Sequence, residues 1–347
     1  MTERALPSRE RLFELIEAMA GRPVVLAGDL IVDRFLTGTP RRISREAPVL
    51  ILSYEGERIT PGGGANAAAN VAALGGRPLL LGAVGDDANG RDLLADLAAR
   101  GIDASGVIVR PGYRTPTKVR ILGGAKHSIK QQIVRYDIED TLVLDDSDRA
   151  RFAARIARWG IAGSGPVTIL SDYGYGAVEP SLLPHLRAAL GDGATILCDS
   201  RYRLDRFQGL DGATPNEEEA EALFGGSIDD ADRLETAGRA LRARLGARFL
   251  LITRGSLGMS LFGGDREDAV AHLAIHGSDQ IVDVTGAGDT VIGTFALALA
   301  AGASPLEAAT LANYAGGVVV MKTGTATLTA AELAAAVRAD PPAGREP

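Results

Sequence analysis

The stretch PVVLAGD, residues 23–29, sets the fold expected for the whole chain. It is a short apolar run closed by a glycine and an aspartate, which is the pattern of a buried strand whose carboxyl end carries polar groups. The pattern recurs beside helix-like stretches at residues 79–84, 167–170, 194–198 and 249–253. Alternating strands and helices predict a doubly wound, mostly parallel sheet, and ligands bind such sheets beyond the carboxyl ends of the strands.

Two segments interrupt this alternation. Residues 35–60 and 115–136 are rich in β-branched side chains and contain Gly and Pro, so they predict hairpins outside the main sheet that form a small β lid over the site. Apolar positions at helical spacing predict an amphipathic helix over residues 8–21 and a last helix over 330–338. We therefore expect an N-terminal helix (1–22), one α/β domain that includes the lid (23–338) and a flexible tail (339–347).

Composition excludes several classes of function. The 347 residues include 37 Lys and Arg against 44 Asp and Glu, a net charge of −7, which argues against nucleic-acid and anionic-membrane binding. The single Cys198 excludes a disulfide framework, and the four His do not cluster as metal ligands. The charge-free stretch of residues 290–306 contains Gly and Pro and predicts a core helix. Because no export signal is visible, the expected compartment is the cytoplasm.

The strongest local motif is DVTGAGD, residues 283–289, which precedes an apolar helix predicted over 290–301. A Gly-rich turn that opens a helix aims backbone N–H groups at one point, and the helix dipole adds positive potential there. That arrangement suits an anion. Asp289 would lie beside the anion, placed to accept a proton from an attacking hydroxyl, and the alternative is a plain N-cap aspartate. The motif is neither a Walker A loop nor a full GxGxxG.

Two other motifs open predicted helices. GGGAN, residues 62–66, leads into a small-residue helix that ends at Leu74-Gly75. Its bare backbone and the carboxamide of Asn66 suit a polyol, unless the stretch is only a capped Gly-rich turn. In TPNEEE, residues 214–219, Asn216 and Glu219 share one helical face. They are candidate oxygen ligands for hydrated Mg²⁺, unless the acidic turn only complements the helix dipole.

Together and in this order, the three motifs resemble the PfkB or ribokinase-like sugar kinase family over about residues 24–335. The resemblance implies a ribokinase-like three-layer α/β sandwich with a mostly parallel central sheet and a small β lid. It also implies ATP-dependent phosphorylation of a sugar hydroxyl, with Mg²⁺ and a monovalent cation such as K⁺. The partner would be a small-molecule sugar or sugar phosphate, and the chain would form a homodimer through the lid.

Matching positions imply a role for each site residue. Asp289 would be the base, and the anion hole would comprise Gly286, Ala287 and Gly288. The implied sugar contacts are Asp33, Gly62, Gly63 and Asn66. The implied nucleotide pocket comprises Asn216, Thr253, Gly255, Gly258 and Asn313. Asn216 and Glu219 match a metal-associated motif, with Mg²⁺ held through water, and Asp283 with Thr285 would border the monovalent cation.

A narrower resemblance is to the heptose-7-phosphate kinases. It is carried by Gly28-Asp29, Asp33-Arg34, RISREAP (42–48), PGG (61–63), Thr117-Lys118, SDY (171–173) and DVTGAGDTVIG (283–293). Those enzymes phosphorylate the anomeric hydroxyl of D-glycero-D-manno-heptose 7-phosphate to give the 1,7-bisphosphate. Such a substrate needs a second anion site, away from the GAG turn, for its own phosphate.

Lysines and arginines in and near the lid are the candidates for that second anion site. Lys118 and Arg135 are the ones we select, and the other available cations are Arg41, Arg42, Arg45, Arg120, Lys126 and Lys130. The alternative for the whole set is a solvated basic face.

The sequence departs from the heptose subgroup around the sugar. Tyr175 stands where the subgroup motif DYxKG has Lys, Ser200-Arg201 replaces a Pro-Lys pair, and the segment 123–132 is longer than the usual hairpin. Another sugar, sugar phosphate or nucleoside therefore remains open as the substrate of a kinase with this fold. A non-catalytic sensor of nucleotides or sugars is the alternative from a different class of protein.

Overall fold

A computed structural model of the chain describes residues 6–125, 130–161, 165–264, 266–276 and 282–339. The α-helices within these ranges are α1 Arg9–Ala18, α2 Gly64–Ala73, α3 Ala88–Ala99, α4 Asp146–Trp159, α5 Leu182–Leu190, α6 Glu217–Phe224, α7 Ala231–Leu245, α8 Ala287–Ala300, α9 Pro305–Val319 and α10 Ala330–Ala339. The strands are β1 Pro23–Gly28, β2 Leu30–Ile43, β3 Leu50–Gly63, β4 Arg77–Gly85, β5 Asp103–Arg110, β6 Thr117–Gly123, β7 Gln131–Ile138, β8 Val167–Asp172, β9 Thr195–Ser200, β10 Gly212–Ala213, β11 Phe249–Thr253, β12 Met259–Gly263 and β13 Val270–Leu273.

The larger sheet has nine strands in the order β13-β12-β11-β10-β9-β8-β1-β4-β5. The pairings from β11 to β5 are all parallel, whereas β12 and β13 add antiparallel at one edge. The five strands predicted from the apolar runs are all present, with ends that shift by up to two residues. Parallel strands bring their carboxyl ends to one edge, which is where the site is expected.

Helices cover both faces of this sheet. Along β1, Val24 and Leu26 face one hydrophobic cluster, and Val25 and Ala27 face another. The first cluster includes residues of α1, α2, α3, α8, α9 and α10. The second includes residues of α4, α5, α6 and α7. Because a strand buried on both faces needs apolar residues at every position, the unbroken apolar run of β1 matches a three-layer sandwich.

The second sheet has four strands in the order β3-β2-β6-β7. Its strands form two antiparallel hairpins, β2–β3 and β6–β7, joined by a parallel pairing between β2 and β6. The strands extend beyond the predicted segments 35–60 and 115–136, because β2 begins at Leu30 and β7 ends at Ile138. The buried start of β2 follows directly on β1, so the second sheet is continuous with the core.

Helix α2 lies close to the end of β1. A Cβ atom on Gly28 would approach the Cα atom of Gly64 to 3.1 Å, so this approach requires small residues. Helix α1 is shorter than the predicted 8–21, and the Ser8 side chain caps it by accepting a hydrogen bond from the Arg11 amide (3.2 Å). Residues 340–347 of the predicted tail lie outside the described ranges. No helix in the described ranges is long and apolar enough to cross a membrane.

Candidate active site

The GAG turn opens helix α8 at the carboxyl edge of the nine-stranded sheet. Gly286 is the N-cap residue of α8 and has φ 78°, a conformation that favours glycine. A Cβ atom at this position would lie 2.5 Å from Nδ2 of Asn66, so both conformation and space require glycine here. The amide of Ala287 donates to the carbonyl of Val284 (3.2 Å). This N–H, one of those predicted to bind an anion, is thus engaged within the turn.

Asp289 lies in the first turn of α8 and is 2% exposed. Its Oδ2 accepts a hydrogen bond from Nδ2 of Asn66 (2.9 Å), and its Oδ1 accepts one from the hydroxyl of Tyr173 (2.9 Å). Burial raises the pKa of Asp289 to about 7, and the two hydrogen bonds oppose that rise. A carboxyl group with a pKa near neutrality is suited to act as a general base. The contacts of this side chain go well beyond an N-cap.

Asn66, in the first turn of α2, joins the two Gly-rich motifs. Besides Asp289, its Nδ2 donates to the carbonyl of Gly286 (3.4 Å), and its own backbone carbonyl accepts from Asn70 (3.0 Å). The carboxamide predicted to contact a sugar therefore contacts the candidate base and its turn directly.

Asp33, on β2, is buried at 3% exposure and forms an ion pair with Arg120 of β6. Burial raises the pKa of Asp33 in spite of this pair. A Cβ atom on Gly62 would lie 2.6 Å from Oδ2 of Asp33, so Gly62 leaves the space that the carboxylate occupies. Gly63, at φ 55°, is the N-cap residue of α2. The predicted sugar contacts Asp33, Gly62 and Gly63 are thus neighbours.

Lys118 is the strand partner of Asp33, and its ammonium lies 5.3 Å from the centre of the Tyr173 ring. Burial lowers the pKa of Lys118, the charge of Asp33 opposes this shift, and the nearby arginines lower the pKa further. Arg135 is the strand partner of Arg120, but its guanidinium pairs with Asp137 (2.8 Å) and is half exposed. Of the two cations selected from the sequence, Lys118 lies beside the candidate base.

Lys130 and Lys126 are the other lysines of the lid region. The ammonium of Lys130 forms an ion pair with Glu55 (2.7 Å) and donates to the carbonyl of Gly124 (2.9 Å). Lys126 lies outside the described ranges. Lys130 is therefore bound within the second sheet.

Tyr173 was not selected from the sequence, although it belongs to the SDY motif. It follows β8, and the loop that carries it is anchored by Asp29. The carboxylate of Asp29 accepts hydrogen bonds from the amides of Tyr173 (2.8 Å), Tyr175 (3.0 Å) and Ala177 (2.9 Å). Burial raises the pKa of Asp29 to about 6. Asp29 follows the buried strand β1 and Asp172 ends the buried strand β8. Aspartates at the carboxyl ends of two apolar runs are the sequence signal that could have identified this loop.

Asn216 and Glu219 form a capping box at the start of α6. The amide of Glu219 donates to Oδ1 of Asn216 (2.8 Å), and the amide of Asn216 donates to Oε2 of Glu219 (3.0 Å). Burial raises the pKa of Glu219. The structure thus shows a helix-capping role for the pair predicted to associate with Mg²⁺, and each side chain keeps further lone pairs for a water ligand.

Thr253, Gly255, Gly258 and Asn313 come from three neighbouring elements. Thr253 ends β11 and forms a β-bridge with Asn216. Gly255 and Gly258 bound a 3₁₀ turn, in which the amide of Arg254 donates to the carbonyl of Gly258 (2.8 Å). Asn313 of α9 donates to the carbonyl of Ala274 (2.6 Å), just after β13. Thr253 and the turn after it thus adjoin the start of α6, whereas Asn313 belongs to α9, which packs on the other face of the sheet.

Asp283 and Thr285 lie in the loop before α8. The carboxylate of Asp283 accepts from the amide of Thr285 (2.9 Å) and from the amide of Gly324 (2.8 Å). Burial raises the pKa of Asp283, but these hydrogen bonds outweigh it and the net shift is downward. In this structure the carboxylate fastens the loop before α8 to the loop after α9.

Asp199, at the end of β9, is a second group that the sequence reasoning did not select. A Cβ atom on Gly288 would lie 3.8 Å from Oδ2 of Asp199. Burial raises the pKa of Asp199 well above its usual value, and the charges of Glu219 and Asp289 add to the shift. This carboxylate therefore lies between the α6 capping box and the candidate base.

Comparison with known proteins agrees with this arrangement. The sequence profile of the pfkB family carbohydrate kinases matches residues 26–159 and 185–331. The bifunctional protein HldE of Mesorhizobium japonicum is 39% identical over 333 residues, and that of Caulobacter vibrioides is 41% identical over 334 residues. These alignments cover 95% and 94% of this chain and 65% of each relative. The chain therefore spans just under two thirds of the length of these relatives.

Solved structures share the fold. Phosphofructokinase-2 from Escherichia coli in complex with potassium superimposes with a TM-score of 0.73 at 19% identity, covering 92% of this chain and 98% of that one. Ribokinase from Arabidopsis thaliana, complexed with ribose and ATP, gives 0.67 at 22% identity, covering 92% and 99%. The predicted ribokinase-like sandwich is thus confirmed. From the family profile, which matches more than half of its residues, the chain belongs to the pfkB family of carbohydrate kinases.

Proposed function

We propose that this kinase transfers the γ-phosphoryl group of ATP to the anomeric hydroxyl of D-glycero-D-manno-heptose 7-phosphate. The observation that carries the proposal is the buried Asp289 at the start of α8, with Lys118 and Asp33 nearby. Phosphorylation of a substrate that already bears a phosphate needs three groups: a base, a helix start that can bind an anion, and a cation for the substrate's own phosphate, here the ammonium of Lys118. The heptose assignment rests on the motifs shared with the heptose-7-phosphate kinases.

The proposed reaction is an in-line displacement at phosphorus. Asp289 takes the proton of the sugar hydroxyl as its oxygen bonds to the γ-phosphorus, and the bond from that phosphorus to the bridging oxygen of ADP breaks. The start of α8 and the amides of the GAG turn other than that of Ala287, which donates to Val284, stabilise the negative charge on the transferring group. Because burial raises the pKa of Asp289 to about 7, the charged, proton-accepting form predominates only above neutrality.

On the sugar side, Asp33 is proposed to accept hydrogen bonds from sugar hydroxyls, with Gly62 and Gly63 allowing close approach. Its ion pair with Arg120 favours the charged form of the carboxylate and opposes the effect of burial. Lys118 is proposed to bind the substrate's own phosphate. Its ammonium lies over the Tyr173 ring (5.3 Å) and within the electrostatic reach of Asp33. Arg135 would assist from the neighbouring strand.

On the nucleotide side, the pocket is proposed to comprise Asn216, Thr253, Gly255, Gly258 and Asn313. Within the described ranges no three His, Cys, Asp or Glu side chains converge on a metal site. One carboxamide and one carboxylate, Asn216 and Glu219, fit a Mg²⁺ ion that keeps most of its waters and binds chiefly to ATP. Mg²⁺ bound there would offset phosphate charge, and Asp283 with Thr285 would border K⁺.

The second sheet is proposed to form the interface of a homodimer. Large apolar side chains on its strands and the β2–β3 connection are exposed, including Ile43 (66%), Val49 (56%) and Tyr54 (68%). Exposed apolar groups concentrated on one small element are typical of an interaction surface. Light scattering of the purified protein should give twice the monomer mass, and Tyr54→Glu should reduce it.

One observation favours a second candidate, a kinase of another sugar. A cavity of about 530 Å³ lies beside Tyr173 and is lined by Glu139, Asp140, Thr141, Gly174, Tyr175 and Tyr202 as well. Where the heptose subgroup has a lysine, Tyr175 donates to Glu139 (2.9 Å). Two carboxylates in place of a cation make this side unfavourable for a phosphate, so a different sugar could bind here.

A coupled ADP-release assay separates the candidates. Heptose 7-phosphate, fructose 6-phosphate, ribose, fructose and adenosine are compared at equal concentration with Mg-ATP. We expect the highest kcat/KM for the heptose phosphate. A higher value for one of the other acceptors would transfer the assignment to it, and no ADP release above the acceptor-free rate with any of the five would contradict the proposed kinase reaction.

A further inference from the structure

We propose that Tyr173 is a positioning residue for the base: its hydroxyl holds Oδ1 of Asp289 and sets the pH at which this carboxylate can accept the substrate proton. The inference rests on the proposed role of Asp289. Tyr173 directly follows strand β8, whereas the base lies in helix α8. The hydrogen bond from the tyrosine hydroxyl therefore joins two elements that are distant in sequence.

The two ends of Tyr173 are held by different groups. Its amide donates to Oδ2 of Asp29 (2.8 Å), which fixes the backbone where β8 ends. Its hydroxyl donates to Oδ1 of Asp289 (2.9 Å), and the ammonium of Lys118 lies 5.3 Å from the ring centre. An ammonium over an aromatic face is attracted to the ring. Tyr173 therefore links the candidate phosphate ligand to the candidate base.

The hydrogen bond has only one possible direction while Asp289 is charged, because a carboxylate accepts and cannot donate. Burial raises the pKa of the Tyr173 phenol well above 10, and the negative charge of Asp289 raises it further. The phenol thus keeps its proton, which excludes Tyr173 as the base itself. A neutral donor at this position stabilises the charged form of Asp289.

Two hydrogen bonds fix the plane of the carboxylate. Asn66 donates to Oδ2 and Tyr173 donates to Oδ1, both at 2.9 Å. Each oxygen can accept a second hydrogen bond, so a sugar hydroxyl can approach without displacing either donor. A base held in one orientation loses less freedom on reaching the reactive geometry.

The charged groups that face Asp289 act in opposite directions on its proton affinity. Asp33 of β2 and Asp199 of β9 favour the protonated form, whereas Lys118 of β6 favours the charged form. Burial is the largest influence and favours the protonated form as well. Loss of the Tyr173 hydroxyl would leave the hydrogen bond from Asn66 and the charge of Lys118 to oppose the other three, so the affinity for a proton should rise.

The test is the pH profile of kcat/KM for the sugar in Tyr173→Phe. The acid limb of this profile reports the pKa of Asp289 in the free enzyme. In Tyr173→Phe the limb should move upward by about one pH unit, which is a tenfold change in proton affinity. Below the limb, kcat/KM should fall about 10-fold, while the Kd for ATP stays within twofold. Tyr175→Phe is the matched control, because it removes a phenol hydroxyl from the same loop that donates to Glu139 instead (2.9 Å). Its acid limb should coincide with that of the parent.

Two results would overturn the inference. One is an unmoved acid limb in Tyr173→Phe, whatever the loss of rate, since a merely structural tyrosine lowers the rate at every pH. The other is an equal shift in Tyr175→Phe, which would show a general disturbance of the loop. If Tyr173→Phe does not fold, 3-fluorotyrosine at position 173 keeps the shape with a more acidic phenol, and the limb should then move downward.

Failure of this inference is distinguishable from failure of the proposed function. If Asp289→Asn is inactive and the acid limb of Tyr173→Phe does not move, the base role of Asp289 stands and only the positioning role of Tyr173 is refuted. If Asp289→Asn is active, the proposed role of Asp289 as the base is refuted.

Discussion

Replacing Asp289 by asparagine should make the protein more stable at neutral pH while removing its activity. Burial raises the pKa of this carboxyl from 3.8 to about 7. Each unit corresponds to ~1.4 kcal/mol, so the roughly three-unit shift destabilises the folded state by about 4 kcal/mol once the pH exceeds 7. The folded chain binds the proton more tightly than the unfolded chain. The penalty is therefore absent below about pH 4 and grows as the pH rises through the window between the two values.

Asparagine carries no charge and escapes this penalty, but it does not reproduce both contacts. Tyr173 and Asn66 each donate a hydrogen bond to Asp289, and an amide offers only one acceptor oxygen. One donor is thus left unmatched, at a cost of about 1–3 kcal/mol that does not depend on pH. The net gain for Asp289→Asn at pH 8 should be about 1–3 kcal/mol.

Urea unfolding between pH 5 and pH 8 measures this directly. The difference in the free energy of unfolding between Asp289→Asn and the parent should increase by about 3 kcal/mol over that range. Asp268→Asn serves as the control, because it also removes one carboxylate but from an exposed position (72%), and its difference should stay flat. A flat difference for Asp289→Asn as well would refute the reasoning that burial perturbs this carboxyl.

Three other variants follow from the geometry. Lys118→Ala should raise KM for a sugar phosphate roughly 10-fold, as expected for a charged hydrogen bond worth ~1.5–3 kcal/mol, and should barely change KM for an unphosphorylated analogue. An equal rise in KM for the two substrates, or an equal rise in the control variant Lys130→Ala, whose lysine pairs with Glu55, would count against a phosphate site at Lys118. Arg120→Met should destabilise the fold by about 3–5 kcal/mol in urea unfolding, because it leaves a buried carboxylate unpaired; a loss below 1 kcal/mol would contradict this. Gly286→Ala should lower kcat with little change in far-UV circular dichroism, because its Cβ would meet Asn66; unchanged kcat would show that the turn adapts.

Much of the fold was predictable because it depends on local pattern. The apolar run of residues 23–27 is buried on both faces of the sheet and pairs with β4 and β8 as parallel strands. The two segments rich in β-branched residues form the second sheet. Their limits were wrong by several residues, because β2 is one continuous strand from its buried start at Leu30 to its exposed end at Ile43.

The chemistry of single side chains was only partly predictable. Asp289 was identified from its position at a Gly-rich helix start, since that signal is local. Tyr173 and Asp199 were not, because their importance comes from strands that are distant in sequence and meet only at the sheet edge. Likewise, the sequence offered no means of ranking the lid cations. The structure distinguishes them by their partners, with Arg135 held by Asp137 and Lys118 left beside Tyr173.

The rate of ADP release by Asp289→Asn, with Mg-ATP and the best sugar phosphate at saturation, tests the central claim most directly. If Asp289 takes the proton of the sugar hydroxyl, kcat should fall by ~10²-fold or more, while ATP binding, measured by calorimetry, should change little. Near-normal turnover in a folded variant would contradict the account, because the neutral carboxamide of asparagine cannot take the proton of the sugar hydroxyl as the carboxylate does.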